Sequence, residues 1–381
     1  MTIWLVSRSQ AFLEALPYPT MRIRWKPVSA GIERRCQGLS QEIVKGAIRI
    51  ADVARHAKVG AGTVSRVLNG SQNVAPETRD RVLATISKLG YVPNLVARGL
   101  AANRTGVIAA IIPVIGYSQH SEVIQGMTEV LHEHGVTVMI GSSGYSQEME
   151  EKIVATFLAR RPDAFYVTGT WHSQKTRKLL SASSIPVIEG SNLTDDPIDT
   201  VVGYSNFAAA RELTLMLASR GHRRIAHVTV KRDLNDRIGD RLTGYRAACN
   251  DRENTQPALV IECENSFSGG ADAVDWALES SDAIDALFFA TDVMAVGGLL
   301  ECQRRGIAVP KKLAIAGFDD LPIASSVIPT LTTVQVDRVG MGRKIANVLL
   351  QRINGEPSRS NRIDVGFQIR ERDSTLKPRL V

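Results

Sequence analysis

Apolar and polar positions divide the chain into three stretches of different texture. From Ile50 the order is helical, with Ile50, Val53, Ala54 and Ala57 at i, i+3, i+4 and i+7, one stripe of a short helix. Lys58-Val59-Gly60 makes a break of turn length. A second helix starts near Ala61, buries Val64, Val67 and Leu68, and stops at Asn69-Gly70. A third starts at Pro76, favoured at the first helical position, and stacks Val82, Ile86 and Leu89 before Gly90. Three short helices with a tight turn between the first two predict a helix-turn-helix unit. Residues 1–46 hold no sustained period and are interrupted by Pro17, Pro19, Pro27, Gly31 and Gly38, so they read as a poorly ordered extension, with Met21 a candidate alternative start.

Beyond Thr105 the pattern changes to apolar runs alternating with amphipathic stretches. The runs are 107–113, 136–141, 163–167, 185–189, 224–230, 258–262, 286–290 and 313–318. Their continuous Val, Ile, Ala and Phe content marks strands covered on both faces, as in parallel sheets. Eight strands exceed one comfortable sheet, so the reading is two doubly wound α/β subdomains with a cleft between them. Ligands bind outside the carboxyl ends of such strands, which directs the search for chemistry to the loops that follow them.

Composition removes several classes. No apolar run approaches the roughly 20 residues of a membrane-spanning helix, and the first twenty residues lack the organisation of an export signal. Cys36, Cys249, Cys263 and Cys302 lie far apart, which suits reduced thiols of a cytoplasmic protein and neither a zinc ribbon nor a disulfide framework. The net charge of +7 is unevenly placed: the first 105 residues hold 16 Lys/Arg against 6 Asp/Glu, and the rest hold 30 against 33. A basic end of this kind suits a polyanion, since each cation near a phosphate releases condensed counterions.

The stretch IADVARHAKVGAGTVSRVLNGSQNVAPETRDRVLATISKLGYVPNLVARGL, residues 50–100, resembles the DNA-binding headpiece of the lactose-repressor family of bacterial transcription regulators. IPVIEG, NFAAAREL, RGHRRIAHVT, RLTGYRAA, FFATDVMAVGG, IAGFDD and PTLTTVQVD continue the resemblance through about residue 380. GYSQEMEE, VVGYSNFAAARELT, ECQRRGIAVP and DVGFQIRERDST look most like its gluconate-operon repressor branch. The resemblance, which leaves out the extension over 1–46, implies a headpiece over 47–92, a hinge helix and linker over 93–105, and a periplasmic-binding-protein-like core of two α/β subdomains over 106–381. It also implies a homodimer without a tetramerising tail, residing in the cytoplasm and on the nucleoid when bound to its operator.

In this family the second helix enters the major groove. That places Ala61 and Gly62 foremost, too short for hydrogen bonds, with Thr63, Ser65 and Arg66 behind. Arg66 either reads a guanine, worth about 1–3 kcal/mol of discrimination, or clamps a phosphate. Thr63 and Ser65 hold phosphates, and Ser71, Asn73 and Thr78 are weaker phosphate candidates. Two departures stand out: Lys58 occupies a turn position usually glycine, and Gly60 and Ala75 replace hydroxyl caps, at little cost where the replacement is glycine. The hinge resemblance makes Leu100 the apolar wedge that kinks the operator centre from the minor groove; otherwise it is a leucine packed on the core.

For the cleft, the resemblance assigns Arg241 to the ligand's carboxylate or polar group and Asp319 to its hydroxyls. Thr291 stands where asparagine is usual. Glu189 ends a strand and is either a ligand contact or a helix or interface partner. Ser118, Gln119 and His120 follow the first strand, Thr168 the third, and Trp171 and Asn206 are further loop candidates. No phosphate loop or nucleophile elbow is present, and His132-Glu133-His134 reads as a solvated helix end, so neither enzyme activity nor a cofactor or metal is expected. The expectation is a repressor released from a palindromic operator by gluconate, ketogluconate or a related sugar acid. The alternatives are a corepressor-dependent regulator and a sugar-binding protein without an operator.

Overall fold

A computed structural model describes residues 48–68, 70–71, 73–91, 104–230, 235–251, 258–356 and 360–376. Its internal contacts divide the chain into two units, Met1–Asn94 and Leu95–Val381.

The first unit holds α1 (Ile50–Ala57), α2 (Ala61–Leu68) and α3 (Pro76–Leu89), the three helices expected. Helix α1 starts where the Asp52 carboxylate accepts the Arg49 amide at 2.9 Å, satisfying one of the amides a helix start leaves free. It ends at Lys58 with φ 53°, a left-handed conformation that costs a side-chain-bearing residue about 1 kcal/mol and glycine nothing. Helix α3 takes Pro76 in its first turn and closes on Gly90 at φ 64°. Val53, Ala57, Val64 and Val82 are completely buried and tie the three helices into one small core.

The second unit has two lobes. In the first, β1 (Val107–Ile112), β2 (Thr137–Ser142), β3 (Ala164–Thr168), β4 (Val187–Gly190), β5 (Thr200–Gly203) and β11 (Arg362–Asp364) form a parallel sheet in the order β11-β5-β4-β3-β1-β2. Helices α4 (Ser118–Glu133), α5 (Gln147–Leu158), α6 (Gln174–Ala182) and α11 (Arg338–Ile353) accompany it. In the second, β6 (Ile225–Thr229), β7 (Leu259–Glu262), β8 (Ala286–Phe289) and β9 (Ala314–Ala316) form a parallel sheet in the order β7-β6-β8-β9. It is accompanied by α7 (Asn206–Ser219), α8 (Asp236–Asn250), α9 (Phe267–Glu279) and α10 (Asp292–Arg304). All eight apolar runs became strands. Ala109, Ala110, Ile111, Phe165 and Val167 in one sheet, and Leu287, Phe288 and Ile315 in the other, are buried, as continuous apolar strands require.

The chain crosses between lobes three times: between β5 and α7, between β10 (Thr333–Gln335) and α11, and between β11 and β12 (Gln368–Arg370). β10 and β12 pair with each other antiparallel. Close approach at Gly126 lets α4 and α11 pack backbone to backbone, since a Cβ there would lie 2.0 Å from the Val339 carbonyl oxygen. No helix among the described residues is long and apolar enough to cross a membrane.

Candidate functional site

On the headpiece, α2 turns Val64 and Val67 inward and leaves Ala61, Gly62 and Arg66 exposed, with Thr63 and Ser65 half-buried. The forward end of this face is therefore smooth, and Arg66 is its long cationic side chain. A side chain at Gly60 or Gly62 would meet open space, so the smooth surface comes from the sequence and not from crowding. Asn73 is exposed and Thr78 half-buried near the start of α3. The Ser71 carbonyl accepts from Arg79 Nη2 at 2.6 Å, which fixes the turn before α3. Leu100, with the rest of Asn94–Asn103, lies outside the described residues.

Between the lobes of the core lies a cavity of about 620 Å³. Gln119, His120, Arg241, Thr291 and Asp319 line it, as do Arg237, Arg338, Tyr117, Tyr145, Tyr204, Ser191, Asn235 and Asn265. Arg241 is 4% exposed. Its Nε donates to Asn206 Oδ1 at 2.9 Å and its Nη1 to the Ala290 carbonyl at 2.6 Å, while the guanidinium lies 3.5 Å over the Phe318 ring. Two of its faces are thus committed, and Nη2, 3.4 Å from the Tyr204 hydroxyl and 3.7 Å from Asp319, is the part left beside the cavity. Arg338, also 4% exposed, grips Asp319 twice, through its carbonyl at 2.6 Å and its carboxylate at 2.8 Å. That double grip holds Asp319 at φ 124°, a backbone conformation costing a non-glycine residue on the order of 1–3 kcal/mol.

His120 is buried, and burial together with the charges of Arg237 and Arg338 lowers its pKa to about 3. It is therefore neutral, and its Nε2 has no hydrogen-bond partner among the described residues. Thr291 caps α10 and donates its hydroxyl to Asn265 Oδ1 at 2.7 Å. Next to it, Asp292 is pushed up to about 7 by burial and then by the Asp319 charge; it accepts from the Thr333 hydroxyl at 2.6 Å and the Leu321 amide at 2.8 Å.

Three expected contacts lie elsewhere. Ser118 opens α4 without lining the cavity, and its carbonyl accepts from the Ser121 hydroxyl. Thr168 donates to the Tyr166 hydroxyl and borders a second cavity of about 230 Å³, together with Trp171. Glu189 is completely buried; it accepts from the Ile198 amide and faces His172 at 3.6 Å and Arg177 at 3.8 Å, and burial raises its pKa. Glu189 shares a face with Val187, which packs with Phe165 and Val167; Ser191, past the strand end and turned by its φ of 67°, leaves that alternation and lines the cavity. Arg237 and Arg338 were not anticipated. Arg237 stands four residues before Arg241 on one helix, a spacing that places both on one face. Arg338 follows an interlobe crossing, and nothing in the local pattern marks it.

A basic helix-turn-helix unit joined to a two-lobed α/β core with a polar cavity defines a regulator that binds DNA and answers to a ligand. Residues 49–94 match the model of the bacterial regulatory proteins of the lacI family, and residues 214–375 that of the periplasmic binding protein-like domain. The HTH-type transcriptional regulator GntR of Escherichia coli (strain K12) is 32% identical over 84% of this chain and 96% of its own. A solved LacI-family transcriptional regulator from Silicibacter pomeroyi superposes with a TM-score of 0.81 at 31% identity, covering 87% of this chain and 100% of that one. The transcription regulator GntR from Chromobacterium violaceum gives 0.65 at 37% identity, covering 71% and 99%. The chain belongs to the LacI family of bacterial regulatory proteins, as a ligand-responsive transcriptional repressor. Regulators of this family bind operator DNA and a small-molecule effector and act as dimers; the relatives matched are transcription regulators and not enzymes.

Proposed function

We propose that this protein is a homodimeric repressor of sugar-acid catabolic genes, released from a palindromic operator when gluconate or a related aldonate or ketogluconate fills the core cavity. One observation carries the choice of ligand. Three buried arginines, Arg237, Arg241 and Arg338, line the cavity, and Asp319 is the buried carboxylate among the lining residues, while Glu262 and Glu264 are exposed. Asp236, behind the lining, pairs with Arg237 and Asp319 with Arg338, which leaves Arg241 as the buried cation without a carboxylate of its own; an anionic guest stabilises it, and a guanidinium donates to a carboxylate through parallel hydrogen bonds. His120 Nε2, Gln119 and Thr291 supply partners for hydroxyl groups. The similarity to regulators named GntR supports the same ligand class. Ser118, Thr168 and Glu189 have no part in this proposal. On the headpiece, Arg66 reads a base, Ala61 and Gly62 permit close approach, Thr63, Ser65, Asn73 and Thr78 contact phosphates, and Leu100 is the minor-groove wedge.

A thermal-shift and operator-titration experiment on the full chain tests this. Gluconate raises the melting temperature and weakens binding to the cognate palindrome, and glucose does neither. Stabilisation by glucose without any response to gluconate removes the sugar-acid reading, and tighter operator binding with gluconate makes the ligand a corepressor.

A further inference from the structure

Beside the cavity, the two lobes are joined by a cluster that none of the expected contacts includes. Asp236 begins α8 in the second lobe, and its side chain is 12% exposed. Its Oδ1 accepts from Arg237 Nη1 at 3.0 Å. Its Oδ2 accepts three hydrogen bonds from the first lobe: the Thr170 amide at 2.7 Å, the Thr170 hydroxyl at 2.9 Å and Asn192 Nδ2 at 3.1 Å. Asn192 Nδ2 also donates to Asp240 at 2.8 Å, one helical turn further along α8. Two loops of one lobe, after β3 and after β4, therefore close on the first turns of one helix of the other.

The fit is tight. Gly169 adopts φ 93°, and a Cβ there would lie 2.8 Å from Arg237 Nη1 and 3.0 Å from Asp236 Oδ1, so this loop reaches α8 only as glycine. From behind, His172 Nδ1 donates to Glu150 at 2.9 Å and Nε2 to the Gly169 carbonyl at 3.2 Å. The carbonyl can only accept, so Nε2 carries a proton, and the Glu150 and Glu189 carboxyl groups hold the pKa of this buried ring above the usual histidine value. The loop is thus anchored to its own lobe on one side and to the neighbouring lobe on the other.

We propose that Asp236 is a positioning residue of the effector site: one carboxylate oxygen aims Arg237 at the cavity, while the other latches the lobes together through Thr170 and Asn192. This rests on the sugar-acid reading for the identity of the ligand but not for the latch itself. Ligand that engages Arg237 gains affinity from a formed latch, and by linkage the bound ligand stabilises the latched arrangement.

The test uses the full-length protein with gluconate as probe, in titration calorimetry, and small-angle scattering without ligand. Asp236→Asn lowers gluconate affinity about tenfold or more, the scale of a lost charged hydrogen bond. Thr170→Val lowers it several-fold, and Thr170→Ser, which keeps both the amide and the hydroxyl, restores it to within about twofold of wild type. Without ligand, Asp236→Asn and Thr170→Val expand the particle and Thr170→Ser does not. Asp236→Asn and Thr170→Val proteins that both match wild type in affinity and in size overturn the latch. If the wild type binds no gluconate, the sugar-acid reading fails and the scattering series alone decides the latch: expansion in Asp236→Asn and Thr170→Val upholds it, and unchanged size removes it.

Discussion

Helices α2 and α8 carry the contacts proposed for DNA and for effector and are built on opposite plans. In α2 the apolar face is buried and the polar face meets solvent, so the residues proposed to read DNA are those the packing leaves over. In α8 the residues that line the cavity are themselves buried: Arg237 and Arg241 lie inside alongside Ile238, Leu242 and Tyr245. Function on a solvent face separates from structure at the level of hydrophobic period. Function on a buried face does not, because the same side chains set the lobe contact, the electrostatics of the cavity and the stability of the core. The comparison predicts that substitutions in the core site change folding and ligand response together, and that substitutions on the α2 face change DNA binding alone.

The largest effect belongs to Arg338. Its replacement by alanine leaves Asp319 buried at a strained backbone position with Arg241 at 3.7 Å as its remaining cation. Breaking a buried pair of this kind costs about 3–5 kcal/mol, and the loss of stability is read by chemical denaturation. An Arg338→Ala protein as stable as wild type would undo the contrast between the two helices.

The next effect depends on pH. Asp292 titrates near 7 in the folded chain, above its ordinary 3.8, because burial and the Asp319 charge favour the proton. A raised folded pKa means the proton-linked stability is fully present below the unfolded value and is lost as pH rises towards about 7. Asp292→Asn removes that dependence, so the stability difference moves in the variant's favour by about 2 kcal/mol between about pH 5.5 and about pH 8. Denaturation midpoints at the two pH values, with parallel pH dependence in both proteins as the contrary result, check it.

The smallest effect is the most confined. Arg66→Ala weakens operator binding by about 1–3 kcal/mol if it reads a base, with sequence preference relaxed at one position. Its melting temperature stays at the wild-type value, because the side chain is exposed. Uniform weakening across sequences would make Arg66 a phosphate contact instead.

The same contrast explains what the sequence disclosed. The three headpiece helices were legible to the residue: Pro76, Gly90, the Val53–Ala57 stripe of α1 and the Val64–Val67 pair of α2 mark ends and faces that the structure keeps. Strands β1, β3, β4, β6, β8 and β9 were legible because burial on both faces leaves an unbroken apolar run; β2 and β7 are partly exposed edge strands that were found by their apolar composition alone, and β5, buried but four residues long, was missed. β10, β11 and β12 have three residues each, and β11 and β12 alternate exposed and half-buried positions, so they leave no run to find. In the cavity, Gln119 and His120 followed from the rule that ligands sit beyond strand ends, and Arg241 from resemblance. Thr168 and Glu189 are still strand residues, and of the loops that follow them only the one after β4 lines the cavity, through Ser191. Asp236 and Asn192 were invisible, since a hydrogen bond across 44 positions has no local signature.

Three chain segments run between the lobes. A joint of three cords side by side flexes readily about one axis and resists both wringing and sideways slip. Such a joint favours a book-like swing over any other motion, and severing a single cord is expected to loosen the spine without parting the covers.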